Sequence, residues 1–208
     1  MWSVMLRSPI FEVSMKPDKP ISEEGGNALL RLARETIARK LLNRGKTDDA
    51  PDKALEIREL KKNAGTFVTL MENGNLRGCI GNLTASEPIV EGVKHNAIGA
   101  AFHDHRFPPL TVEELEHITV EVSILSNPQP LMFKNATDLL DKLTPGIDGV
   151  IIRRGHASAT FLPQVWEQLP DPEDFLSHLC RKAGLSGDAW KEPGMELLTY
   201  QVQYFEED

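Results

Sequence analysis

At 208 residues and a formal charge of -8, the chain is long enough for one generous domain or two small interlocked ones. Its 31 acidic against 23 basic residues argue against nucleic-acid binding, which asks for a basic stripe with interleaved aromatics. Two distant cysteines, Cys79 and Cys180, and no signal peptide fit a cytoplasmic protein better than a disulfide framework. The apolar stretch from Met1 to Leu6 is far too short to cross a membrane.

Residues 1–20 carry Pro9, Pro17 and Pro20 and read as an irregular N-terminal arm. Residues 21–208 form the folded part. Ser22 is a suitable N-cap, with Glu23 and Glu24 in the first turn where the helix dipole favours acids. Leu29, Ala33, Ile37 and Leu41 recur at four-residue spacing, so a core-facing helix is predicted to run to about Asn43. A polar loop follows over residues 43–54, and the segment 55–62 fits either a strand edge or a helical turn.

Residues 65–81, GTFVTLMENGNLRGCIG, read as a β-hairpin. Thr66 to Leu70 is β-branched and aromatic, and Asn73-Gly74 suits a primed turn because both residues accept positive φ. With a period of two, Arg77, Cys79 and Gly81 are predicted on one face and Leu76, Gly78 and Ile80 on the other. A guanidinium two residues from a thiol can depress its pKa or hold an anion beside it. A buried small Cys79 with Arg77 in a structural ion pair satisfies the same letters. The pattern alone leaves a packed cysteine, a ligand site and a catalytic thiol all open.

Ser86 is next expected to cap a helix with Glu87 and Pro88 in its first turn, and Ile89, Val93, Ala97 and Ala101 form the inner stripe. His95 falls at its surface. The helix ends in FHDHRFPPL (102–110), where two prolines bar continuation. His103 and His105 flank Asp104, yet no third close ligand accompanies them, so no metal site is assigned. Asp104 against Arg106 or Arg77 makes a loop-fixing ion pair. Residues 118–125 alternate cleanly: Ile118, Val120, Val122 and Ile124 face the core, and Glu121 lies on the opposite face.

Asn135 or Thr137 caps a brief helix through Leu143. A second strand–turn–strand unit follows at residues 149–163, echoing the first in layout and suggesting two similar βαβ-like halves. Thr160 is read as an ordinary strand position. Asp171 caps a helix whose Phe175, Leu179 and Ala183 face inward, with Cys180 packed beside them. Residues 195–205 read as one final strand region with Leu198, Tyr200, Val202 and Tyr204 on the core side. Glu206, Glu207 and Asp208 look like a frayed acidic tail.

Several segments together carry a resemblance: NLRGCIGNL (75–83), AAFHDHRFPPL (100–110), ITVEVSILSNPQPL (118–131), ATFLPQVW (159–166) and FLSHLCRKAGL (175–185). In order and spacing they resemble the AMME syndrome critical-region protein family, whose prokaryotic members are called AmmeMemoRadiSam system protein A. The likeness spans roughly residues 22–205. It implies an α+β fold of two intimately packed subdomains, a larger and a smaller, with largely antiparallel sheet and flanking helices. It also implies a cleft beside the LRGCIG strand, lined here by Arg77, Gly78, Cys79, Asp104, Arg106 and Glu121.

The family brings no established chemistry. Its name implies neighbours: a Memo-like protein and a radical S-adenosylmethionine protein. The chain lacks the CxxxCxxC cluster motif, GxGxxG and a Walker loop, so no cofactor is assigned. Two functions are therefore expected to compete. One is a binding or adaptor protein for a small-molecule or protein ligand. The other is a thiol enzyme with Cys79 as nucleophile, Arg77 as anion holder and His103 or His105 as base. No feature of the sequence decides an oligomeric state.

Overall fold

A computed structural model describes residues 20–43 and 53–207. All but the last residue of the proline-bearing arm, and most of the polar loop, lie outside the described residues. The fold is α+β and divides into two units, one reaching Leu125 and resuming at Gln203, the other comprising Ser126–Val202.

The first unit begins with helix α1 (Glu23–Leu41). Ser22 caps it, its Oγ accepting the Gly25 N–H at 3.2 Å, and Leu29, Ala33 and Ile37 are fully buried. Two 3-10 turns, Lys53–Glu56 and Arg58–Lys61, resolve the ambiguous segment before the hairpin. Strands β1 (Gly65–Glu72) and β2 (Asn75–Asn82) pair antiparallel. Their turn uses positive φ at Asn73 (50°) and Gly74 (76°), as the Asn-Gly pair demands.

Helix α2 (Ile89–Phe102) follows, and β3 (Ile118–Leu125) then pairs antiparallel with β1 on its other side. A last strand, β8 (Val202–Glu206), completes the order β2-β1-β3-β8. Val68, Leu70, Val120 and Val122 share one core with α1 and α2. By alternation, Phe67, Thr69, Cys79, Glu121 and Ser123 occupy the opposite face.

The second unit holds β4 (Gln129–Pro130), α3 (Ala136–Lys142), β5 (Gly149–Arg154), β6 (Ala157–Phe161), α4 (Pro172–Lys182) and β7 (Glu196–Tyr200). Asn135 caps α3 and Asp171 caps α4, each through a side-chain oxygen. The strand order is β4-β7-β5-β6. Trp166 stacks on Phe175 with centroids 3.7 Å apart, and Cys180 is fully buried in the same core.

The two halves expected as βαβ take the split form. In each, a hairpin is followed by a helix and a third strand, which pairs with the hairpin's first strand. The outer strands are therefore parallel to each other with an antiparallel strand between them.

Four local expectations are corrected. Ser86 does not cap α2; Pro88 holds that position without a side-chain bond, and Ser86 Oγ donates to Thr84 O instead. The single final strand is two, β7 and β8, in different sheets. The break falls at Gln201, whose N–H donates to Ser126 Oγ and whose carbonyl accepts from Ser126 N, both at 2.9 Å. Leu197 rather than Leu198 enters the core of the second unit, and Tyr204 is exposed. The acidic tail is anchored at Glu207, which accepts from Arg34 Nε at 2.6 Å and from Val120 N at 2.9 Å.

Candidate binding site on the Arg77–Cys79 strand

The β2 strand is irregular where the sequence placed its arginine. Leu70 pairs with Gly78 but Met71 pairs with Leu76, so Arg77 is a bulged extra residue. One consequence corrects the predicted faces: Leu76 goes with Met71 and leaves the Gly78–Ile80 side. The other is that Arg77 no longer alternates with Cys79.

Its buried guanidinium reaches into the segment after α2. Nε donates to Glu114 Oε1 at 2.7 Å, and Nη2 donates to Glu114 Oε2 at 3.1 Å and to Pro108 O at 3.0 Å. Cζ stands 5.9 Å from the centre of the Phe107 ring. Nη1 is buried without a hydrogen-bond partner. The carboxylate that Arg77 holds is thus its own chain's Glu114, which the guanidinium pulls below the ordinary glutamate range.

Gly78 serves packing. A Cβ there would lie 2.2 Å from the Ala100 carbonyl oxygen, so only glycine lets α2 approach β2 this closely. Gly81 does the same for the Phe67 ring, also 2.2 Å from a hypothetical Cβ.

Cys79 lies opposite the Gly78–Ile80 side, as the strand's period of two predicts, and the structure makes this the face away from the helices. It pairs with Thr69, which in turn pairs with Glu121, so the three form a row across β2, β1 and β3. Thr69 Oγ1 donates to the sulfur at 3.3 Å. The thiol is half-buried, and that burial pushes its pKa up; the Thr69 hydrogen bond and the nearby Arg106 charge oppose the shift without reversing it. Glu121 is also raised, chiefly by burial, although it accepts a 3.1 Å hydrogen bond from Ser123 Oγ.

Asp104 and Arg106 form the predicted loop-fixing pair, and they do more than fix a loop. Asp104 Oδ2 accepts the Cys79 N–H at 2.9 Å and Arg106 Nη2 at 2.6 Å, while Oδ1 accepts Arg106 Nε at 2.9 Å. Arg106 Nη2 donates on to the Cys79 carbonyl at 3.3 Å. The Asp104 side chain is 2% exposed and that of Arg106 47%. These hydrogen bonds, led by Arg106, hold the Asp104 carboxyl far below the usual carboxylate range. Arg106 also lies over Phe107, at 5.4 Å, so that ring has two guanidinium groups within 6 Å of its centre.

His103 and His105 are both exposed, and Cys79 instead bonds Thr69 through its sulfur and Asp104 and Arg106 through its backbone. Among the described residues no group of three or more His, Cys, Asp or Glu is placed to hold a metal ion. The structure therefore brings Cys79, Asp104, Arg106 and Glu121 to one region of β-sheet. It sends Arg77 to Glu114 and leaves the histidines outside. Glu114 and Thr69 are the participants that sequence reasoning missed. Thr69 was legible from the hairpin register, whereas Glu114 lies 37 residues from Arg77 with no local signal.

Comparison with known proteins agrees with this architecture. The AMMECR1 family model matches residues 30–205. A protein of Methanothermobacter thermautotrophicus is 39% identical over 193 residues, covering 91% of this chain and 97% of its own length. One of Nanoarchaeum equitans is 41% identical over 177 residues, covering 83% and 97%. The crystal structure of an uncharacterised protein from Pyrococcus horikoshii superposes with a TM-score of 0.75 at 36% identity, covering 90% of this chain and 94% of that one. With this extent of match, the chain belongs to the AMMECR1 family.

Proposed function

We propose that this protein is a binding or adaptor component, and that its contact surface is the Cys79 segment of β2 together with the loop carrying Asp104, Arg106 and Phe107. Its partners on this reading are the Memo-like and radical S-adenosylmethionine proteins implied by the family resemblance, with the cytoplasm as the compartment. One observation carries the choice: the charged groups beside Cys79 are spent on one another and on backbone, and the thiol is shifted away from ionisation. A nucleophilic mechanism asks for a depressed thiol pKa or a base in contact. A binding surface asks only for a rigid, partly exposed cluster, which the buried Asp104 supplies to Arg106 and Phe107.

The competing reading, with Cys79 as nucleophile and Arg77 as anion holder, gets no support from these contacts. Calorimetric titration of the purified protein with each of the two partner proteins tests the proposal. Binding is expected, weakened about tenfold or more by Phe107→Ala, as for an aromatic anchor. No binding to either protein, or binding indifferent to the F107A change, would overturn it.

A further inference from the structure

Strand β2 lies at the edge of its sheet, and an open strand edge invites pairing with another chain. Natural edges are guarded by charged side chains, above all lysine, by proline, by a bulge, by an inward-pointing charge or by a covering segment. Here β2 reads NLRGCIGN; it has no lysine and no proline, and its one charge, Arg77, is buried against Glu114. The bulge and inward charge at Arg77 guard one end of this edge, and the regular stretch from Gly78 to Asn82 carries no such device of its own.

The Cys79 backbone shows how that stretch is covered. In an antiparallel strand, the N–H and C=O of one residue point the same way and alternate sides along the chain. Cys79 sends its N–H to Asp104 and its C=O to Arg106, so both face outward from β1. A neighbouring strand would supply the same two things, an acceptor for the amide and a donor for the carbonyl. The register from Gly78 to Asn82 is regular, so the next outward pair belongs to Gly81. Among the described residues no side chain meets that pair as Asp104 and Arg106 meet Cys79.

We propose that the Asp104–Arg106 pair is a substitute strand that closes the β2 edge, and that without it this edge pairs with β2 of a second copy of this chain. The occupant follows from the edge itself. Antiparallel pairing of two identical segments is self-complementary about a two-fold axis, and the glycines of this strand offer little side-chain hindrance to such a neighbour. The proposal is independent of what the surface binds.

Sedimentation velocity over a concentration series tests it, with amide exchange at Gly81 as a second readout. The unaltered protein is expected to exchange Gly81 rapidly at every concentration. The D104A/R106A double variant is expected to dimerise as concentration rises, with Gly81 exchange slowing about tenfold or more. The neutral pair D104N/R106Q still offers an acceptor and a donor to Cys79, and is expected to remain monomeric. Three results would each overturn the inference: a protected Gly81 amide in the unaltered protein, a folded D104A/R106A protein that stays monomeric, or D104N/R106Q associating as readily as D104A/R106A. The first requires no variant to fold.

Discussion

The two units repeat one layout, helix, hairpin, helix, strand, yet finish the hairpin's outer strand in different ways. In the second unit, β6 pairs with β5 without a bulge, and the exposed Lys182 reaches the Thr160 carbonyl at 3.0 Å from α4. One of its ion pairs, Arg154 with Glu192, is 35% and 52% exposed. In the first unit, β2 is bulged at Arg77, and each ion pair that answers its backbone or its charge has one buried member, Asp104 beside Arg106 and Arg77 beside Glu114. The comparison teaches where structure has been invested. A solvated lysine suffices to finish an ordinary edge, whereas β2 is held by ion pairs whose buried member, Asp104 or Arg77, is costly to leave without its partner.

Breaking equivalent contacts in the two units should separate them sharply. The largest effect is expected for Glu114→Ala, which strands the buried Arg77 guanidinium and should cost about 3 kcal/mol. Glu192→Ala, at an exposed pair, should cost under about 1 kcal/mol. Urea midpoints measured side by side check the contrast. Next comes Asp104→Ala, expected to cost about 2–3 kcal/mol because the Cys79 amide loses its acceptor as Arg106 loses its partner. Lys182→Ala should change stability by no more than about 0.5 kcal/mol.

The glycines sharpen the same contrast. Gly78→Ala would drive a methyl into the Ala100 carbonyl at 2.2 Å, and about 1–3 kcal/mol of overpacking is expected in thermal melts. Gly155→Ala in the second hairpin meets open space at φ +59°, where only the left-handed backbone costs it, about 1 kcal/mol.

The remaining effects concern pH, and they have opposite signs on the two carboxyl groups near Cys79. Asp104 is lowered in the folded state, so its stabilisation is present above the ordinary aspartate pKa and disappears as pH falls through and below it. Glu121 is raised, so its burial is free of charge at low pH and becomes a liability as pH climbs past the ordinary glutamate pKa. Asp104→Asn should therefore flatten the acid limb of the stability profile. Glu121→Gln should stabilise near neutrality by on the order of 1 kcal/mol, with no gain near pH 4.

Much of this was legible in the letters, for local reasons. Ser22, Asn135 and Asp171 act within three residues of themselves, and Asn73-Gly74 dictates its own turn. The alternation of residues 118–125 fixes its face. The Arg106–Asp104 pair spans two residues and was equally visible.

What escaped was non-local. Nothing near Arg77 announces Glu114, and nothing near Glu207 announces Arg34, 173 residues away. The break between β7 and β8 is invisible because Gln201 is neither glycine nor proline; Ser126, 75 residues distant, makes the bonds that end one strand and begin the next. The bulge at Arg77 had a faint signal in the adjacent Gly78, but a glycine in a strand fits close packing equally well, and here it does both.

The most direct measurement of the account is Cys79 alkylation in the folded protein from pH 6 to 10, followed by peptide mass with the buried Cys180 as internal reference. A binding surface with a half-buried, hydroxyl-bonded thiol predicts slow reaction that accelerates only at higher pH than a free cysteine requires. Rapid alkylation of Cys79 well below pH 8 would reveal a stabilised thiolate and contradict the assignment of this strand to binding.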